Sequence, residues 1–314
     1  MHVPDGLINA GTSIGAGVAA AGGLVTAVRG KLEALDSRLP LAGLTAALIF
    51  ALQMLNFPVL PGVSGHVMGG ALAAILLGPR LGMMAVSVVV IVQAVLFADG
   101  GLTALGINVI NMAILTTLSG WVVFRVFATL RVPGLLAAAI ASWASVVASA
   151  GGFVLEYSIG GTGGVDAGTL LPPMLGVHAV IGIGEGLITA AVLGAVAARR
   201  PDIVVGFGGA KAGARGLSGR TAGGFVLGGM AAAAALIVFL APLAAPTPDG
   251  LEAVASDIGI AETVEPSIIG GPLADYTLAG RDNALGTIGA GLAGLAATFA
   301  IGLGLASLRR RRTS

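Results

Sequence analysis

The strongest chemical signal in the sequence lies in its first two residues, Met1 and His2. A free α-amine, the first backbone amide and the imidazole of residue two can close on one metal ion in fused rings. That arrangement supplies three nitrogen donors in a plane and leaves one position open. Nitrogen donors in a plane suit Ni(II) or Cu(II), and at a stretch Co(II). Neither a basic stretch nor an apolar leader precedes the polar hexapeptide Met1-His2-Val3-Pro4-Asp5-Gly6, so no secretory signal is expected. Removal of an initiator Met generally needs a small second residue, and His2 is bulky. Met1 is therefore expected to be retained, with its amine as the true N-terminus. The plain alternative is an ordinary frayed chain end.

Two further histidines follow, His66 and His178. His66 falls at the start of a short apolar run, Gly65 to Gly78, behind Asn56-Phe57-Pro58-Val59-Leu60-Pro61-Gly62-Val63-Ser64. Two prolines stop a regular helix there, so this stretch is expected to dip below the membrane surface before a short helix begins. Irregular backbone is tolerated at that depth where it lines a cavity. Ser64 is the expected N-cap, with His66 one or two residues into the helix. The helix dipole there disfavours the imidazolium, and a neutral imidazole is the form that ligates metal. His66 is the candidate fourth ligand beside Met1 and His2; a hydrogen-bonded cavity histidine is the competing reading.

The elements that must position these groups are membrane helices. Of the 314 residues, 56% are hydrophobic and 10% charged, at a mean hydropathy of +0.99. A soluble domain carries about 25% charged residues. Apolar runs near 20 residues predict an all-α integral membrane protein and argue against a barrel, whose strands would alternate. The absence of cysteine excludes disulfides, thiolate metal sites and thiol catalysis. With 52 glycines, close helix–helix packing is expected.

Nine apolar segments are predicted, at about 8–28, 41–57, 65–78, 82–98, 104–124, 134–155, 172–198, 222–242 and 285–307. Alternate loops hold 15 of the 16 Lys and Arg residues, including Arg309 to Arg312, and only Arg281 falls on the other side. The positive-inside rule then places the N-terminus outside and the C-terminus in the cytoplasm. Eleven acids share the outer side with Arg281, a field that would gather cations. The expected organisation is a seven-helix metal-binding unit over 1–198, a Gly-rich basic linker over 199–221, and a two-helix unit over 222–314 with a hydrophilic outer loop at 243–284. Pro-Asp-Gly-Leu occurs at Pro4–Leu7 and again at Pro248–Leu251, which a shared turn type explains.

Other polar groups in or beside the spans are candidate supporting residues. His178 and Glu185 sit seven apart and so share one helical face. Glu185 is the only acid deep in a span, where an ionisable group is functional by default. Holding the metal ligands in place from behind, a proton-linked step and plain interhelical bonding are the roles open to this pair. Asn108 and Asn111 could hold the N-terminal loop or a ligand imidazole, or act as interhelical glue, and Asp5 is a further candidate for supporting the ligands or for coupling. Gly30-Lys31-Leu32 and Gly209-Ala210-Lys211 both lack the Ser or Thr that a phosphate loop requires. Nor is there a Gly-Xaa-Ser-Xaa-Gly elbow or a His-Glu-Xaa-Xaa-His pair, so the chain is read as neither an enzyme nor an ATPase, and nothing in it suggests nucleic-acid binding.

The chain resembles the NikM/CbiM-type substrate-binding membrane subunit of energy-coupling factor (ECF) nickel/cobalt transporters. The motifs that carry the resemblance are Met1 to Gly6, Pro61 to Gly70, Gly106 to Met112 and Gly176 to Gly186. The second unit, with Pro248-Asp249-Gly250-Leu251-Glu252, resembles the small NikN-type (PDGLE) subunit, so that the whole looks like a NikMN fusion. The resemblance implies a square-planar nitrogen site at Met1, His2 and His66, with Ni²⁺ or Co²⁺ as transported substrate and no prosthetic group. It implies partners too, a transmembrane coupling subunit and cytoplasmic ATPases, in the plasma (inner) membrane. CbiM-like chains often begin with a cleavable signal, whereas NikM-like chains expose the Met directly, as here, which favours nickel. Two alternatives stay open: a stand-alone cation permease driven by protons or membrane potential through His178 and Glu185, and a membrane scaffold that binds through the outer loop.

Overall fold

A computed structural model of the chain describes residues 1–28, 39–207 and 220–310. Arg29, Lys31, Arg38, Lys211, Arg215, Arg311 and Arg312, and residues 208–219 of the expected linker, lie outside the described residues.

The described chain is almost entirely helical. Helix α1 spans Ala10–Val28, α2 Leu39–Gln53, α3 Gly70–Leu77 and α4 Pro79–Val92. Helices α5 (Leu105–Asn108) and α6 (Thr116–Thr129) are joined through a wider π-helical segment, Val109–Leu115. Next come α7 (Gly134–Gly160), α8 (Ala167–Arg199), α9 (Arg220–Phe239), the short α10 (Gly250–Asp257) and α11 (Ala284–Arg310). Among the described residues, seven helical stretches are long and apolar enough to cross a membrane, which makes this a multi-pass membrane protein. The second and third apolar segments form shorter helices of 15 and 8 residues. The latter is about 12 Å long, so it is buried among other helices rather than facing lipid: all eight of its residues are buried.

The chain ahead of α3 departs from the sequence expectation. Phe57–Leu60 (β1) and Val63–Gly65 (β2) pair as an antiparallel hairpin, and α3 begins only at Gly70. Pro58 and Pro61 withhold amide donors from a helix but are compatible with a two-strand edge, and Gly62 supplies the positive φ that the turn needs. Ser64 is therefore not an N-cap. Its hydroxyl donates to the carbonyls of Thr247 (2.6 Å) and Pro248 (3.2 Å). His66 lies in the irregular stretch between hairpin and helix, so the helix-dipole argument for it lapses.

Glu185 fixes this stretch. Its carboxylate accepts from the amides of Met68 (2.8 Å) and Gly69 (3.0 Å), two residues that no strand or helix satisfies. Unpaired buried amides cost about 1–3 kcal/mol each, so the one acid deep in α8 serves the irregular backbone that carries His66.

The two Pro-Asp-Gly-Leu stretches also differ from expectation. The first is a turn, with Gly6 at φ +89°. In the second, Asp249 is the N-cap of α10 in a full capping box with Glu252. The loop between α9 and α11 is ordered by that box and by backbone bonds into the first unit: Ala245 N to Asn56 O, Ser64 N to Pro248 O and Leu273 N to Leu96 O. Helices α9 and α11 both pack against α2.

Candidate metal centre

The site is assembled from the N-terminal segment, which is threaded into the bundle. The Met1 side chain is 3% exposed and packs in a satellite core with Met68, Val146 and Ala150. Burying a Met side chain contributes about 1.5–3 kcal/mol, enough to draw the chain end inward. Val3 and Leu7 are fully buried beside it. Asn108 grips Val3 from both sides, accepting from its amide at 2.7 Å and donating to its carbonyl at 3.0 Å. Asp5 accepts from the amide and hydroxyl of Thr103, and its carbonyl accepts from the Glu265 amide at 2.9 Å. Only glycine fits at position 101, where a Cβ would strike Asp5.

This threading brings the amine of Met1 to 2.6 Å from His66 Nε2. Two nitrogens bound side by side to one ion at about 2 Å lie about 2.8 Å apart. The pair therefore has the spacing of neighbouring ligands. The other nitrogen of His66, Nδ1, lies 3.1 Å from the Val67 carbonyl. A carbonyl only accepts, so Nδ1 carries the proton and Nε2 presents its lone pair to the amine. The His2 ring lies near-parallel to His66, with centroids 5.2 Å apart and planes at 22°. His2 Nδ1 is 3.1 Å from Asp99 Oδ1 and its Nε2 is 3.0 Å from Gln93 Oε1. For His2 to chelate through Nδ1 together with its own amide, the ring must turn away from Asp99. Among the described residues no three His, Asp or Glu side chains converge to hold a metal, so a metal held here would need the amine and amide as well as imidazole.

The second unit reaches into this site. Asp249 Oδ2 is 2.6 Å from the Met1 amine and 3.5 Å from His66 Nε2, while its Oδ1 caps α10. Burial pushes the Asp249 carboxyl up, but the amine and His66 outweigh that and hold it well below the usual carboxylate range. Sequence reasoning missed Asp249 as a site residue, although the Asp-to-Glu spacing of a capping box was visible in Asp249-Gly250-Leu251-Glu252. It also missed Gln93, which sits in a second π-helical segment, Gln93–Phe97; such segments often mark functional sites.

Asn111 and Glu185 bond away from the amine, whereas His178 lies within electrostatic reach of the amine, Asp249 and His66, and its buried Nε2 has no hydrogen-bond partner among the described residues. Asn111 donates to Glu156 and not to the N-terminal segment. His178 and Glu185 are both buried on one face of α8 but bond separately, His178 Nδ1 to the Met174 carbonyl at 2.8 Å and Glu185 to the backbone ahead of α3.

Burial, above all, pulls His2 down to about 4, against the opposing pull of Asp99. Its titration is thus moved below the ordinary imidazole range. A folded value of about 4 against about 6.5 unfolded means that the unfolded chain takes up the proton first as pH falls. Stability tied to His2 is complete above pH 6.5, declines by roughly 3 kcal/mol between 6.5 and 4, and is flat below that. Thermal unfolding of metal-free protein across this window should show the decline, and His2→Ala should show a smaller one. Equal slopes in the two proteins would remove His2 from the account.

Comparison with known proteins supplies the context. Residues 2–203 match the model of the CbiM family, described as the cobalt uptake substrate-specific transmembrane region, and residues 223–311 match the PDGLE domain. A protein of Archaeoglobus fulgidus named as a fused nickel transport protein NikMN is 38% identical over 99% of both chains. A protein of Haloquadratum walsbyi named as a metal transport protein is 45% identical over 65% of this chain and 93% of its own. The crystal structure of a transition metal transporter superposes with a TM-score of 0.57 at 27% identity, covering 64% of this chain and 94% of that one.

Proposed function

The chain belongs to the CbiM family of cobalt uptake substrate-specific transmembrane regions, here joined to a PDGLE domain, and from that membership we propose that it captures Ni²⁺ or Co²⁺ for uptake. The ligands are the Met1 amine, the amide and imidazole of His2, and His66. The observation that carries this reading is the 2.6 Å approach of the amine to a His66 Nε2 whose lone pair is freed by the Val67 carbonyl. Capture exchanges protons for metal: the Met1 ammonium must give up one proton to solvent and the His2 amide must ionise, so affinity rises with pH.

The membrane arrangement that fits is nine helices, seven in the unit over 1–198 and two in the unit over 222–314, with the N-terminus outside and the C-terminus in the cytoplasm of a plasma membrane. ATP-driven uptake needs a transmembrane coupling subunit and ATPases as separate chains, since this one has no phosphate loop. A stand-alone permease with a His178–Glu185 proton relay gains no support from the geometry, in which the two residues bond to different backbone groups. The test is direct. Purified full-length chain, incubated with Ni²⁺ and freed of excess, is expected to retain one ion per chain by elemental analysis. Retention of no metal, or of metal unaffected by His66→Ala, overturns the assignment. Uptake by cells that express the chain without ATPase partners would overturn the coupling scheme.

A further inference from the structure

We propose that Tyr276, in the loop of the PDGLE domain, is a positioning residue that sets the tautomer of the His2 imidazole through Gln93. This rests on the capture reading above and extends it to a residue outside the CbiM region.

The logic follows from which atoms own protons. The phenol has one hydrogen. The Tyr276 hydroxyl donates to Asp99 Oδ2 at 2.5 Å, so its hydrogen is spent there. Tyr276 must then accept from its second neighbour, Gln93 Nε2, at 3.2 Å. That turns the other end of the Gln93 amide, Oε1, toward His2 Nε2 at 3.0 Å. A carbonyl oxygen there favours the His2 proton on Nε2, which leaves the lone pair on Nδ1, the ring nitrogen that can close a chelate with the His2 amide. Asp99 Oδ1, 3.1 Å from Nδ1, draws the proton the other way, and Tyr276 weakens that pull by donating to the same carboxylate.

The backbone shows how firmly Tyr276 is placed. Asp275 and Tyr276 take φ of +52° and +56° in succession, a conformation rare for aromatic residues. The ring is clamped against Phe97 at 4.7 Å, and the Leu273 amide is bonded to the Leu96 carbonyl at 2.8 Å. Burial, with Asp99 beside it, pushes the Tyr276 phenol well above its usual range, so it keeps its hydrogen at any physiological pH.

The experiment is a double-mutant cycle in the full-length protein, with Ni²⁺ affinity and the visible absorption of bound Ni²⁺ as readouts. Tyr276→Phe frees Gln93 to flip and present its NH₂ to His2. Affinity is expected to fall about 10- to 100-fold, the usual effect of losing a group that orients a ligand, with altered absorption. Gln93→Glu places an acceptor at His2 whichever way it turns, so in that background Tyr276→Phe should change affinity less than about twofold. An unchanged affinity and spectrum for Tyr276→Phe, or an equal loss in both backgrounds, overturns the proposal. If Tyr276→Phe does not fold, Asp99→Asn tests the same line, and wild-type affinity in that variant overturns it. Wild-type binding that His2→Ala leaves intact would instead sink the capture reading, and this proposal with it.

Discussion

His2→Ala is expected to lower Ni²⁺ affinity by at least roughly 10²-fold, and a single residue placed ahead of Met1 should do the same with every side chain intact. Apparent binding energies of about 10–16 kcal/mol for four-ligand nitrogen and sulfur sites apportion to about 3 kcal/mol per ligand, which is more than a factor of 100. The extension is the sharper of the two tests. It converts the amine 2.6 Å from His66 Nε2 into an amide and pushes Met1 from the pocket it fills with Met68 and Val146. His2 and His66 would remain as they are. A site made of two histidines and nearby carboxylates would tolerate the added residue; a chelate built on the amine would not. Isothermal titration of the three proteins at one pH decides between them.

The same segment shows what could be read from the chain alone. Helix-length apolar runs, alternation of loop charge and the position of the Met1-His2 pair pointed to one end of the bundle, and His66 does meet Met1 there. The local structure that brings it was misassigned, because a short apolar run after two prolines reads as a late-starting helix, while a hairpin over 57–65 satisfies the same backbone by pairing across Gly62. The pairing of Glu185 with the Met68 and Gly69 amides was unreadable for a related reason: those donors are orphaned only once the hairpin and α3 leave a gap between them. Gln93 and Asp99 are near neighbours, but Tyr276 lies 183 and 177 residues beyond them. Their network exists only when the loop after α9 folds back over α4, and no periodicity in either segment records that contact. Asn111, equivalent to Asn108 by spacing, bonds to Glu156 instead, since residues three apart on a helix are offset enough to meet different neighbours.

Asp249→Asn is expected to destabilise the metal-free protein by about 3–5 kcal/mol while leaving α10 in place. Asparagine caps a helix about as well as aspartate, so the bonds from Leu251 and Glu252 to Oδ1 have a substitute. What is lost is the charge 2.6 Å from the Met1 amine. Removing one partner of a buried ion pair strands the other, at a cost of that order. Asp249→Ala loses the cap as well and should be worse by about 1 kcal/mol. The deficit of Asp249→Asn should shrink when Ni²⁺ is bound, because a metal-bound amine has given up the proton that Asp249 compensates. Thermal unfolding of both variants, with and without Ni²⁺, measures all three quantities. A deficit for Asp249→Asn that is the same in both states would mean that the carboxylate braces the loop against the hairpin rather than holding the site closed around an empty chelate.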